Sequence, residues 1–362
     1  MSPRQDPKHL RVLHVDAARQ WRGGERQLLL LATGMRERSA EPLVAAQPGS
    51  PLLQKLKAEG IATASLAMRS DLDLLAVRRL RRLIATWRPD VMHAHDRRGH
   101  ALALAALIGR RASVPLMVTC RIVARPRGLV RFGPRVARFI AISGAVRDAL
   151  VSGGIAGERV TVAYPGVSPS LEGRPRDWRR ECGWDESTLL AGVIGPLTGD
   201  AASARLATLL RAIPRDAAAR MGLVVLGGHA RGNGEIGGVR AFRAGFVHDV
   251  PQAIAGLDLL LHPGGAEGLG TAVIEGMALG VPTVAVAAGG LGEIIEDGRN
   301  GLLVPPDDDA AFARGVAGLV GDPIQRRALG AGGPERARSF GPDRMVDSIL
   351  AAYRDLMERS TV

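Results

Sequence analysis

Short apolar runs alternate along this chain with longer segments whose apolar positions recur every three or four residues, the pattern of buried strands followed by amphipathic helices. In the first half the pattern predicts strands at residues 11–15, 42–46, 61–66, 90–93, 115–119, 138–142 and 159–163, and a first helix over 25–35. Pro165, Gly166, Pro169, Gly173 and Pro175 then crowd one segment, which reads as a linker. The pattern restarts with a strand at 188–194, a helix over 202–213, a strand at 223–226 and a buried strand ending at Leu261. A final amphipathic helix covers 342–357. Such alternation predicts an α/β protein with doubly wound parallel sheets. A chain of 362 residues exceeds what one hydrophobic core usually serves, so two domains are expected.

One loop concentrates the chemistry. Residues 262–270 read as the loop after a strand, and 271–279 as the helix that follows. The backbone N–H groups of Gly268, Leu269 and Gly270 then fall at a helix N-terminus, where unpaired donors and aligned peptide dipoles favour an anion. Glycine at such a place lets a ligand approach the backbone closely. Glu275 lies about one turn into the helix, and a carboxylate can accept two hydrogen bonds at once, which suits the paired hydroxyls of a ribose. Glu267, on the loop, faces another part of the same ligand. Two glutamates by themselves read more simply as solvated surface residues. Their flanks change that weighting.

The flanks run His262-Pro263, Glu267 to Gly270, Glu275-Gly276-Met277-Ala278, Gly280-Val281-Pro282-Thr283-Val284-Ala285, Gly289-Gly290, Glu293-Ile294-Ile295, Asp297-Gly298 and Gly301 to Pro306. This continuous series resembles the retaining glycosyltransferases of family 4, and it is far more specific than a lone glycine-rich loop. The resemblance implies the GT-B fold: two Rossmann-like, doubly wound domains facing across a cleft, with a C-terminal helix crossing back to the first. It implies an N-terminal tail at 1–9, an acceptor-side domain at 10–168, a nucleotide-sugar donor domain at 169–341 and the returning helix at 342–362. It also implies transfer of a sugar from a nucleotide-diphosphate sugar to a hydroxyl acceptor with retention, using no metal and no cofactor beyond that co-substrate. In this picture Glu275 holds the ribose, while Glu267 and the backbone of Gly268, Leu269 and Gly270 hold the sugar and diphosphate. Many relatives build envelope polysaccharides, lipopolysaccharides or glycolipids, which makes such an acceptor the expected one by analogy.

Other motifs gain meaning beside this one. Gly23 and Gly24, preceded by Trp21 and Arg22, lie between the first strand and the first helix, where backbone amides can approach a phosphate. In the related enzymes a Gly-Gly loop here lies across the cleft from the donor diphosphate. Alone, it reads as an ordinary tight turn. His93-Ala94-His95-Asp96 closes a strand whose alternation sends both histidines to one side. Two histidines suggest a metal, but no third ligand of suitable spacing is evident in the sequence. By resemblance His95 orients the transferred sugar, whereas His93 fits a hydrogen-bonded core histidine. Ser143 reads as a helix N-cap.

Composition narrows the partners. The net charge is +12, with only Lys8, Lys55 and Lys57 as lysines; a basic surface favours anionic partners such as nucleotide diphosphates, lipid phosphates or an acidic membrane face. At 3% aromatic residues, and without a recognisable reader motif, nucleic-acid binding is not expected. Six arginines between Arg121 and Arg138, including Arg125, Arg127 and Arg131, are interleaved with apolar residues. They read either as contacts to an anionic bilayer or phosphorylated lipid, or as a solvated surface. Arg78, Arg79, Arg81 and Arg82 read as a solvated helix face. Two distant cysteines fit a reducing cytosol. Residues 1–10 show no secretory pattern, and the longest apolar run, 101–109, is shorter than the roughly 20 residues of a spanning helix. A cytoplasmic protein, free or peripheral on the inner membrane face, is expected.

One passage departs from the family pattern. Most members open the second domain with an arginine and, further on, a lysine that clamp the diphosphate; here those positions hold Pro196 and Ala201. Arg205 and Arg231 are candidate replacements. The departure supports an alternative reading, a GT-B binding protein or partner subunit without turnover.

Overall fold

The computed structural model describes residues 10–109, 114–126, 132–168, 173–195, 200–265 and 267–359. The chain divides into two compact units, residues 1–166 with 341–362 and residues 167–340.

In the N-terminal unit, strands β1 (Arg11–Asp16), β2 (Glu41–Ala46), β3 (Ala62–Ser65), β4 (Val91–Ala94), β5 (Leu116–Cys120), β6 (Val136–Ala141) and β7 (Val160–Val162) form one parallel sheet. Their order is β3-β2-β1-β4-β5-β6-β7. Helices cover both faces of such a sheet, so its central strands are apolar throughout, and Val12, Leu13 and Val15 are fully buried. The helix Gly23–Glu37 starts at the glycine pair, two residues earlier than predicted. Its start is fixed by Glu25, whose carboxylate accepts the backbone N–H of Arg22 at 2.7 Å in a capping box.

The final helix, Pro342–Arg359, belongs to this unit. Its apolar stripe of Val346, Ile349, Leu350 and Tyr353 packs with Leu31 and Met35 of the first helix and with Val12 and Ile140 of the sheet. Arg38 pairs with Asp343 and Asp347 at the rim, and Arg138 with Asp355. The two helices approach so closely at Gly34 that a Cβ there would lie 2.6 Å from Cγ2 of Val346. Where the chain leaves the unit, Gly166 is held twice by the Gln27 side chain, donating its N–H to Oε1 (2.7 Å) and accepting from Nε2 (2.8 Å).

The C-terminal unit holds β8 (Leu189–Ile194), β9 (Met221–Ile236), β10 (Val239–Gly245), β11 (Leu259–His262), β12 (Thr283–Val286) and β13 (Leu302–Val304), ordered β10-β9-β8-β11-β12-β13. All neighbours are parallel except β9 and β10. The strand expected at 223–226 therefore continues into an antiparallel hairpin. Its glycines explain the difference: Gly227, Gly228 and Gly232 take positive φ of 126°, 80° and 136°, letting the strand bend back so that Val239–Gly245 pairs with both of its halves. The core lies between sheet and helices, with Leu206, Leu209 and Leu210 on one face and Trp178 and Ile254 among the residues of a second cluster.

Gly34→Val should cost about 1–3 kcal/mol through overpacking against the buried Val346. Urea unfolding reads this directly; an unchanged midpoint would show that the two helices can separate without loss.

Candidate functional site

Parallel strands present their C-terminal ends at one edge of the sheet, the edge where ligands of open α/β folds bind. In the N-terminal unit this edge gathers Asp16 from β1, His95 and Asp96 after β4, Arg121 after β5, and the start of the helix Gly23–Glu37. In the C-terminal unit it gathers His262 at the end of β11, the loop to Gly270, and the helix Thr271–Ala278.

The histidines of the N-terminal unit form a buried group of three. The register of β1 against β4 sets His14 beside His93, and His14 Nδ1 lies 2.9 Å from His95 Nε2. His93 reaches Tyr353 Oη through Nδ1 and Thr119 Oγ1, at 2.8 Å, through Nε2. Each of the three offers a nitrogen within 4.8 Å of the others, so the third histidine that the sequence did not reveal is present. His14 is 81 residues from His95; only strand adjacency brings them together. Both nitrogens of His93 are already hydrogen-bonded, and among the described residues only His14 Nε2 of the three rings is a buried nitrogen without a partner. Burial holds all three well below the usual histidine range, His14 at about 3. His14 and His95 bond each other, and the His93 ring, tied to Tyr353 and Thr119, packs beside His95 with centroids 4.1 Å apart.

Around it lie opposed charges. Asp16 is buried and accepts the N–H of Ala18 at 2.9 Å; burial, then the nearby Asp96, raise its pKa to about 7. Asp96 caps the helix Arg97–Leu107 through Gly99 N–H (3.0 Å) and also accepts from Ala17 N–H (2.9 Å). Arg121, expected as an acceptor or membrane contact, turns its guanidinium toward the start of the first helix. Its Nη2 donates to the Gly24 carbonyl at 3.4 Å, and a Cβ on Gly24 would lie 3.4 Å from its Nε. Burial pulls the Arg121 pKa down and the carboxylates of Asp16, Glu25 and Asp96 oppose that. Gly23 has open space where a side chain would stand. Arg125 is exposed, and Arg127 and Arg131 lie outside the described residues. A cavity of about 20 Å³, room for about one water, is lined by Gln27, His95, Thr119, Arg121 and Met345. Burial raises the Cys120 thiol to about 12, which leaves it protonated.

In the C-terminal unit, Glu267 is more engaged than a loop residue need be. Its Oε1 accepts the N–H of Gly270 at 2.9 Å, the Leu269 N–H also faces it, and its Oε2 lies 3.5 Å from His262 Nε2. His262 Nδ1 accepts the N–H of Gly264 at 3.2 Å, so the ring proton sits on Nε2 and points at Glu267. The His262 hydrogen bond, first among several causes, lowers the Glu267 pKa. Two of the amides expected to be unpaired are thus met by the chain's own carboxylate. Gly270 has a steric reason as well: its φ is +94°, and a Cβ would lie 2.7 Å from Leu291 Cδ2. Gly276 lets the helix lie against β11, since a Cβ there would be 2.2 Å from Leu260 Cδ1. Glu275, half-buried, follows one turn into that helix.

The candidate diphosphate-clamping residues are otherwise occupied. Residues 196–199 lie outside the described residues, and so does the side chain of Ala201. Arg205 is held by Asp309 at 2.6 Å and by the Pro306 carbonyl at 2.9 Å, and Arg231 lies 3.4 Å from Glu181.

Two family descriptions match this chain: Glycosyltransferase Family 4 over residues 21–171 and Glycosyl transferases group 1 over residues 191–322. The D-inositol 3-phosphate glycosyltransferase of Stackebrandtia nassauensis is 33% identical over 227 residues, 57% of this chain and 51% of that protein. D-inositol 3-phosphate glycosyltransferase 1 of Catenulispora acidiphila is 29% identical over 311 residues, 74% and 73% of the two chains. The chain spans about half the length of the first of these relatives. Among solved structures, Anabaena Alr3699/HepE in complex with UDP and glucose is similar at a TM-score of 0.77 and 21% identity, covering 96% of this chain and all of that one. WaaG, a glycosyltransferase involved in lipopolysaccharide biosynthesis, follows at 0.65 and 15%, covering 93% and 98%. At such identities the likeness is one of fold, and the fold is GT-B, built from two Rossmann-like domains. With matches in both units, the chain belongs to the group 1 glycosyltransferases of family 4.

Proposed function

We propose that this protein transfers a sugar, with retention and without a metal, from a nucleotide-diphosphate sugar to a hydroxyl of an envelope glycan or glycolipid made at an anionic membrane face. The observation that carries this reading is the C-terminal loop. Glu267 is ionised and fixed between His262 and the amides of Leu269 and Gly270, with Glu275 about one turn into the helix that follows the loop. Fixed acceptors of this kind suit a donor's sugar and ribose hydroxyls, because they need no reorganisation when the ligand arrives. Relatives named for D-inositol 3-phosphate and a neighbour holding UDP and glucose agree with such a donor and a hydroxyl acceptor. In the N-terminal unit, Gly23 and Gly24 would meet phosphate and His95 the sugar. Burial keeps His95 neutral, so that it acts as a hydrogen-bonding group and not as a cation.

The second reading, binding without turnover, is favoured by one set of observations. Pro196 and Ala201 stand where the clamp belongs, and Arg205 and Arg231 already have carboxylate partners. A diphosphate needs compensating charge when it leaves.

Calorimetric titration with UDP-, GDP- and ADP-sugars tests both readings. One donor should bind, and Glu275→Ala should weaken it at least about tenfold, the loss of a charged hydrogen-bond acceptor. Radiolabelled transfer or hydrolysis of that donor then separates enzyme from binding protein. No binding at millimolar concentration would remove the transferase reading.

Asp16 gives a further expectation. Between its ordinary value of 3.8 and about 7 the folded protein keeps a proton that the unfolded chain has released. Stability therefore falls as pH rises through that window, and the neutral side chain leaves the Gly23–Gly24 region less negative for a phosphate. Asp16→Asn, which keeps an acceptor for Ala18 N–H, should gain about 3 kcal/mol on the wild type between pH 4 and pH 8. Parallel pH profiles of the two would contradict this.

A further inference from the structure

The helix Leu74–Trp87 of the N-terminal unit buries Ala76, Val77, Leu80 and Ile84 on one face. At 100° per residue its exposed positions, Leu74, Leu75, Arg78, Arg79, Arg81, Arg82, Ala85 and Thr86, fall on the opposite side as one stripe. The helix holds no acidic residue. Leu72, Leu74 and Leu75 are 86%, 79% and 60% exposed, and these leucines sit at a well-formed helix start, where Asp73 accepts the N–H of Ala76 at 3.0 Å. Three leucines among four positions facing water are unusual beside a core this complete. Asp71 next to them is neutralised by Arg97 at 2.6 Å. Arg81 is committed to the carbonyls of Ala105, Ala106 and Ile108, which brings Ile108, 60% exposed, alongside. Among the described residues, Arg78, Arg79 and Arg82 pair with no carboxylate.

We infer that this face docks on an anionic phospholipid bilayer, with Leu72, Leu74 and Leu75 entering the acyl boundary and Arg78, Arg79 and Arg82 meeting lipid phosphates. Leucines at one end of an acid-free arginine stripe match a membrane interface in both apolar area and charge. A nucleic-acid surface would want stacking groups among the arginines, and the exposed stripe has none. The connection after β3 opens at the same edge of the unit as His95 and Arg121, so a membrane seated there brings headgroup hydroxyls to that edge. The inference rests on the membrane-face part of the proposed function and is independent of transfer.

Sedimentation of the full chain with equimolar phosphatidylglycerol and phosphatidylcholine vesicles tests it. The wild type should bind these vesicles and leave pure phosphatidylcholine largely unbound. Arg78→Gln/Arg79→Gln/Arg82→Gln and Leu72→Ser/Leu74→Ser/Leu75→Ser should each weaken partition at least about tenfold, since both signals are needed for stable attachment. All six positions are exposed, so melting temperature and nucleotide-sugar titration should match the wild type. Failure of the wild type to bind anionic vesicles overturns both this inference and the membrane part of the proposed function. Equal binding by wild type and both variants overturns only the assignment to this helix. Loss in the arginine variant alone, with equal affinity of the wild type for duplex DNA, shows a general polyanion surface and overturns the bilayer. A failed nucleotide-sugar titration with intact vesicle binding removes transfer and leaves this inference standing.

Discussion

A parallel sheet covered by helices on both faces leaves its side chains only one route to a ligand, the ends of its strands. Much of the chemistry in this chain obeys that constraint. Asp16, His95 and Arg121 lie at or just after strand ends in one unit, and His262 and Glu267 do so in the other. The polar residues trapped within strands have to satisfy one another. His14 and His93 are fully buried on adjacent strands; hydrogen bonds to His95, Thr119 and Tyr353 occupy their ring nitrogens in part, and burial keeps the rings uncharged. Burial thus sets the protonation of the site, and strand order decides which groups share it.

Helix starts at these edges are supplied with anions by the chain itself. Glu25, Asp96 and Glu267 each accept backbone N–H groups at or just before the first turn of a helix. The dipole that would attract a phosphate is already partly met. A diphosphate bound there, as the proposed function requires, would have to use neighbouring donors, and any negative charge left beneath it would raise the cost. The proton on Asp16 and the inward guanidinium of Arg121 both reduce that charge in the N-terminal unit.

Much of the fold was legible because alternation of apolar runs survives even in an arginine- and alanine-rich chain; predicted strands such as 11–15 and 42–46 differ from Arg11–Asp16 and Glu41–Ala46 by one residue. The hairpin after Leu226 was not legible, since its glycine-rich outer half lacks the two-residue alternation that marks a strand. The Glu267 to Glu275 loop was readable because its residues are contiguous. His14 was missed because its partners are some eighty residues away and meet it only through the order β1-β4. The direction of the Arg121 side chain was not legible for a different reason: an arginine stem reaches inward or outward from one backbone position, and sequence does not fix which. Nor does sequence show that Glu267 caps its own loop.

The first sheet is completed by the last helix of the chain. Val12, Met35 and Ile140 share their core with Val346 and Tyr353, although the whole of residues 167–340 intervenes. On the ribosome the second unit can close as soon as it emerges, whereas the first must wait, with part of its apolar surface uncovered, until the helix Pro342–Arg359 has been made. The unit synthesised first is the one finished last.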